Sequence, residues 1–199
     1  PSIAVVVQEL VDAERAGVMF SVDPSTGDSE LVVIEGALGL GEVVVSGQVQ
    51  PDTYVLTKEG PRIREIRVGH QDHRLVSGPG GAVVREELLG PDADARVLDD
   101  HQAIQLAELG VRIEAHYGEP QDMEWAISEG RIHILQSRPV TTLGEQLPEE
   151  ATGGEILLQG LSASSGIASG PVRVLLTPER GGELLTGEVL VAPLTNPDW

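Results

Sequence analysis

Residues 122–139 read DMEWAISEGRIHILQSRP. They put two carboxylates (Asp122, Glu124), an amide oxygen (Gln136) and an arginine (Arg138) into one short stretch. Carboxylate and amide oxygens suit Mg²⁺, and a guanidinium fork suits phosphate. The chemistry these residue types support together is that of a Mg-nucleotide site. They reach it only if one element brings them to one side. The stretch reads as a strand, a turn and a second strand, with side chains alternating between faces. Asp122 and Glu124 therefore share a face, as do Gln136 and Arg138. A two-residue loop, Glu129-Gly130, pairs Glu124 with Leu135 and separates the two sets. A three-residue loop, Ser128-Glu129-Gly130, pairs Glu124 with Ile134 and joins them, leaving Met123, Trp125, His133 and Leu135 on the other face. Three-residue hairpins need a residue at positive φ, and Gly130 stands where one is required. An odd loop or bulge around 128–130 is therefore expected. A plain edge hairpin with one solvated face fits the same pattern.

Four blocks carry a family resemblance. DMEWA…ILQSRPVTT resembles the end of the ATP-grasp domain in the family of phosphoenolpyruvate synthase, pyruvate phosphate dikinase and rifampicin phosphotransferase. VVVQELV at 5–11 is similar to the strand and hinge that hold adenine in that family. AGVMFSVDPSTG at 16–27 and EGALGLGEVVVSGQVQPDTYVL at 35–56 resemble its next two blocks, in the expected order over roughly residues 1–142. The resemblance implies that Gln8 and the backbone around Leu10 and Val11 face adenine. It implies that Glu124 and Gln136 ligate Mg²⁺ on the ATP phosphates with help from Asp122. Arg138 then neutralises the transferring phosphates and is the expected catalytic residue. The family's other lobe, which supplies a lysine and an arginine, precedes the hinge strand and is missing here; by position Lys58 does not replace it.

Composition is consistent with this. The net charge is −19, and Lys58 is the only lysine among 13 basic residues. Such acidity argues against a nucleic-acid partner, whereas a nucleotide needs only a local reversal of sign. There is no cysteine, and hence no disulfide, thiolate metal site or cysteine nucleophile. No apolar run is long enough to span a membrane, and no signal peptide opens the chain, so a cytoplasmic protein is the default. The absence of an initiator Met and the end at Asp198-Trp199 suggest a piece of a longer protein.

The expected fold class is α+β: an ATP-grasp C-terminal lobe, mostly antiparallel sheet with helices, followed by the start of a swivelling β/β/α phosphohistidine domain. Strands are expected at 3–8 (buried), 17–22, 31–35, 54–57 and 63–68. Gly36, Gly39 and Gly41 read as a flexible loop, residues 42–46 as a helix or a strand, and 69–91 as an exposed connection. A helix is expected over about 92–117, with Asp92 and Asp94 at its start and Gly118 at its end. The domain reading is 1–142 for the nucleotide-binding lobe, 143–159 for a linker and 160–199 for the start of the phosphohistidine domain, with strands at 171–176 and 187–193. No Thr-x-Gly-Gly-x-x-Ser/Thr-His motif occurs, and His70, His73, His101, His116 and His133 read as ordinary surface or helix residues. About 18 residues separate Thr142 from Gly160. That spacing fits the synthase and dikinase domain order and leaves no room for the antibiotic-binding domain of the rifampicin enzymes. DMEWA and ILQSRP point to the synthase branch. The implied reaction of the intact protein is ATP + pyruvate + water → AMP + phosphoenolpyruvate + phosphate, by way of a phosphorylated mobile histidine. A rifampicin phosphotransferase-like or other-acceptor dikinase, or a non-catalytic acidic module, are the alternatives.

Overall fold

The computed structural model describes residues 5–140 and 169–192. Its centre is a six-stranded antiparallel sheet in the order β4-β3-β2-β1-β7-β8. The strands are β1 (Arg15–Phe20), β2 (Leu31–Leu38), β3 (Asp52–Thr57), β4 (Ile63–Arg67), β7 (Gln121–Ser128) and β8 (Arg131–Pro139). The short helix α1 (Glu42–Val45) follows β2, and the hairpin β5 (His73–Ser77) and β6 (Val83–Glu87) follows β4. Helix α2 (Asp100–Tyr117) precedes β7. Apart from this body, β9 (Val172–Val174) and β10 (Val189–Val191) pair in parallel. The mixed, sheet-dominated architecture is α+β, as expected.

Alternation along the strands sorts the sheet into two faces. Met19, Ile34, Tyr54, Leu56, Met123, Trp125 and Ile127 point to one side and meet Leu106 and Ala107 of α2 in the main core. Ala16, Ala37 and Ala126 point to the other side. There α1 and the β5 hairpin cover them with Leu40, Val43 and Leu75 in a smaller core. The alanines fit because α1 lies close over the sheet; larger residues would lift it.

Several expectations are corrected. The run at 3–8 is not a buried strand over the residues described: Val5, Val6 and Val7 are largely exposed and belong to no sheet. A β-branched run becomes a strand only with a neighbour to take its backbone hydrogen bonds, and among the described residues no strand pairs with it. Strand β2 runs through Gly36 to Leu38 rather than ending at Glu35. Gly39 is a turn position at φ 81°, where a Cβ would collide with the Leu75 carbonyl. Residues 69–91 are not simply an exposed connection. They hold the β5–β6 hairpin, and buried Gln71 accepts from Leu38 N–H through Oε1 at 2.9 Å. His73 is buried rather than a surface residue, 2.6 Å from Asp72 through Nδ1. Helix α2 begins at Asp100, not near 92. Asp99 accepts from Gln102 N–H while the Gln102 side chain accepts from Asp99 N–H, a reciprocal cap. The residues 90–94 form a separate 3₁₀ turn. Gly118 ends α2 in the left-handed conformation, as expected. The second unit's strands are shorter than expected, and the linker at 143–159 lies outside the described residues.

Candidate functional site

The β7–β8 hairpin brings the four polar groups together, by a different route from the one expected. Its loop has two residues, Glu129 (φ 51°) and Gly130 (φ 71°), closing Ser128 onto Arg131. Both central residues at positive φ make the tight turn that suits a twisted hairpin. Such a loop alone would set Glu124 opposite Leu135. Instead the register shifts between Glu124 and Trp125, so that Trp125 faces Ile134 and Glu124 faces Gln136. Leu135 is the extra residue, a β-bulge in the edge strand, and it packs beside Ala126. The bulge flips the remainder of β8, which puts Gln136 opposite Glu124 and Arg138 opposite Asp122 on one face. Met123 and Trp125 face the main core as expected. Their strand-mates there are Ile132 and Ile134, while His133 stands opposite Ala126 on the other face.

Arg138 donates through Nε to Asp122 Oδ2 at 2.9 Å, and one terminal guanidinium nitrogen lies 2.9 Å from the same oxygen. Asp122 is mostly covered, with 15% of its side chain exposed, whereas 68% of the Arg138 side chain is exposed. The carboxylate thus anchors one edge of the guanidinium, and its other N–H donors face outward. The donor set around Glu124 is all oxygen: its carboxylate, the Gln136 amide and the Asp122 carboxylate. Among the described residues no three His, Asp or Glu side chains are grouped to hold a metal by themselves. Two carboxylates and an amide suit a hard cation that takes its remaining ligands from phosphates and water.

Gln8 donates through Nε2 to the Leu135 carbonyl at 3.5 Å, which sets the 5–11 segment against the bulge beside Gln136. Val11 packs against the smaller core, and Leu10 is exposed. Lys58 lies elsewhere: its Nζ is 2.7 Å from Glu114 of α2, on the core side of the sheet.

Two further charged residues share the open face. Glu35 stands opposite Val18, Val18 opposite Glu124, and on the other side Thr53 links Glu35 to Arg67. Burial raises the Glu35 carboxyl above the usual carboxylate range, and the Arg67 guanidinium works against that rise. Beyond Arg67, a cleft of about 850 Å³ opens between β4 and the turn at 23–29. Sequence reasoning placed Glu35 in a strand and passed over it; its one signal was a lone carboxylate in the otherwise apolar run LVVIEGAL.

Residues 1–155 match the family described as "Pyruvate phosphate dikinase, AMP/ATP-binding domain". A protein named "Probable phosphoenolpyruvate synthase" from Methanothermobacter thermautotrophicus is 48% identical over 98% of this chain and 28% of its own length. One of the same name from Archaeoglobus fulgidus is 45% identical over 99% of the chain and 27% of its own length. The "Phosphoenolpyruvate synthase" of Pyrococcus furiosus is 39% identical over 98% of the chain and 26% of its own length. The chain thus spans about a quarter of the length of these curated relatives. It belongs to the pyruvate phosphate dikinase AMP/ATP-binding domain family.

Proposed function

We propose that this chain is the ATP- and Mg²⁺-binding part of a dikinase-type phosphotransferase of the phosphoenolpyruvate synthase kind. Residues 1–142 form an ATP-grasp C-terminal lobe, 143–159 a linker and 160–199 the start of the phosphohistidine domain. The intact enzyme passes a phosphoryl group from ATP to a mobile histidine and then to pyruvate. The observation that carries this reading is the register of β7 on β8, which sets Glu124 against Gln136 and Asp122 against Arg138 on one open face. Glu124 and Gln136, with Asp122, would hold the cation, which when bound would screen the phosphate charge. Arg138, braced by Asp122, presents its free N–H donors to the phosphoryl oxygens. Gln8, Leu10 and Val11 border the adenine. Phosphoryl transfer is chiefly positioning and charge neutralisation, and these residues supply both. The names of the relatives support the synthase branch and pyruvate as acceptor.

The test uses the full-length protein with ATP, Mg²⁺ and pyruvate. Formation of AMP, orthophosphate and phosphoenolpyruvate in equal amounts is expected. Dependence on pyruvate with formation of ADP, or no dependence on divalent cation, would refute the reading. The 199-residue chain alone is expected not to take label from ATP, because it carries neither the lysine-bearing lobe nor the histidine motif.

A further inference from the structure

Glu35 is the charged residue of the open face that the proposed function leaves without a role. It lies on β2, an interior strand of the sheet, and its neighbours on the same side of that strand are Val33 and Ala37. Among the described residues its carboxyl accepts no hydrogen bond and makes no ion pair. Interior strands rarely carry such a group, because a half-buried carboxylate that accepts no hydrogen bond has lost solvation, and here only the Arg67 guanidinium offsets part of that loss. A group left in that state is a candidate for work on a ligand.

Register fixes where the work would be done. Glu35, Val18, Glu124 and Gln136 are successive partners on β2, β1, β7 and β8. With strands about 4.8 Å apart, the Cα atoms of Glu35 and Glu124 are roughly 10 Å apart. Val18 forms a short apolar floor between them. A phosphoryl oxygen and a water molecule placed over that floor would have a glutamate on either side. A carboxylate repels phosphate and accepts from a donor, and water is the donor this reaction must use. Conversion of ATP to AMP with one phosphoryl group passed on leaves a second phosphoryl group for water. The other charged groups of the face have work in the proposed function or an ion pair: Glu124 and Gln136 would hold the cation, Asp122 braces Arg138, and Arg67 pairs with Glu65 at 3.1 Å.

We infer that Glu35 is the general base for that water. Its carboxylate takes one proton as the water oxygen bonds to the terminal phosphorus. The bond from that phosphorus to its bridging oxygen breaks, and the bridging oxygen keeps the electron pair on the second phosphoryl group, which is the one passed to the histidine, so that AMP and not ADP is released. Orthophosphate departs, and the proton on Glu35 returns to solvent. A carboxyl whose affinity for protons is raised by burial suits the task. This inference rests on the proposed function.

The experiment compares the full-length protein with its Glu35→Gln and Glu35→Asp forms. It measures equilibrium binding of labelled ATP and single-turnover release of orthophosphate. Glu35→Gln is expected to bind ATP within about twofold of the unsubstituted protein and to release phosphate ~10²–10⁴-fold more slowly, the usual worth of a positioned base. Glu35→Asp keeps a carboxyl and should recover part of the rate. Phosphate release by Glu35→Gln at the unsubstituted rate overturns the inference. So does a parallel loss of ATP binding, which would make Glu35 a positioning residue, and so does a Glu35→Asp form no faster than Glu35→Gln. An unsubstituted protein that makes AMP without releasing orthophosphate refutes the base while sparing the nucleotide site. One that makes neither refutes the proposed function itself.

Discussion

The two faces of the six-stranded sheet are built from alternate residues of the same strands, yet they differ in every physical respect. On the α2 side, Met19, Ile34, Tyr54, Leu56, Met123, Trp125 and Ile127 are wholly buried. The polar atoms of Trp125, Tyr54 and Asp52 there are satisfied. Trp125 Nε1 donates to the Val18 carbonyl at 3.1 Å, and Tyr54 donates to Asp52 Oδ2 at 2.7 Å while accepting from Leu98 N–H. Asp52 in turn accepts from Gly69 N–H and Val97 N–H. On the opposite side Glu35 accepts no hydrogen bond among the described residues, Glu124 faces Gln136, and Arg138 extends outward from Asp122. The period of two lets one strand serve both purposes: Met123, Trp125 and Ile127 hold β7 in the core, and so hold Asp122 and Glu124 in place on the other face. Along residues 122–125, substitutions at Met123 and Trp125 should therefore act on stability and those at Asp122 and Glu124 on chemistry, while Ala16, Ala37 and Ala126 hold a smaller core on the second face.

The largest expected effect lies on the core side. Trp125→Ala removes the largest fully buried side chain among the described residues and leaves a cavity in the main core, at a cost of about 3–5 kcal/mol. Denaturant unfolding of the chain should show the midpoint falling by that equivalent, and loss of nucleotide binding should follow from unfolding alone. A Trp125→Ala chain as stable as the original would mean that α2 does not depend on the sheet.

Arg138→Ala should do the reverse. Arg138 is largely exposed although Asp122 is mostly covered, so their pair is worth on the order of 1 kcal/mol, and the unfolding midpoint should move little. Histidine phosphorylation by the full-length protein should slow ~10²–10³-fold, as when one preorganised donor is removed from a transition state. Lysine at 138 keeps a charge but not the planar fork, so it should rescue only part of the rate. Near-normal turnover by Arg138→Ala would make the hairpin a structural feature. Glu124→Ala is expected to raise the Mg²⁺ needed for half-maximal rate by roughly 10–100-fold, the range for groups that support a bound metal. Its defect should shrink as Mg²⁺ is increased, whereas that of Arg138→Ala should not. A titration in which both variants respond alike would break the division of labour between cation and guanidinium.

How much of this was legible in advance varied by region, for physical reasons. The alternation in DMEWA announced a two-faced strand, and Gly118 announced the end of α2. The common face of Glu124, Gln136 and Arg138 was anticipated, but the device was not. A bulge at Leu135 leaves no mark in residue type, because the extra residue is defined by its partner strand rather than by its own chemistry. The β5–β6 hairpin was hidden by its own turn, Gly78-Pro79-Gly80-Gly81, whose composition is that of a loop. The start of α2 was misplaced because Asp92 and Asp94 look like helix-start acids, while the reciprocal cap of Asp99 and Gln102 decides the matter. The 3–8 run was misread because β-branched composition reports fitness for a sheet, not the presence of a neighbour. Glu35 was passed over because one carboxylate in a strand forms no pattern until register sets it in line with Glu124.

The smallest expected effect tests whether the open face gives up stability for its chemistry. Burial raises the folded-state pKa of Glu35, so the folded chain holds this proton more tightly than the unfolded chain does. Below the ordinary glutamate range both states are protonated, and Glu35 costs the fold nothing by ionising. As pH rises, the unfolded chain ionises first, and stability falls until the folded carboxyl ionises as well; above that point the loss is constant. The Arg67 guanidinium, in line through Thr53, limits the loss. Glu35→Gln keeps the shape and cannot ionise. Its melting temperature should exceed that of the unsubstituted chain at pH 7, and the two should converge as pH falls towards 4. A gain in stability that is the same at both ends of that range would show that the glutamine improves packing rather than relieving a buried charge.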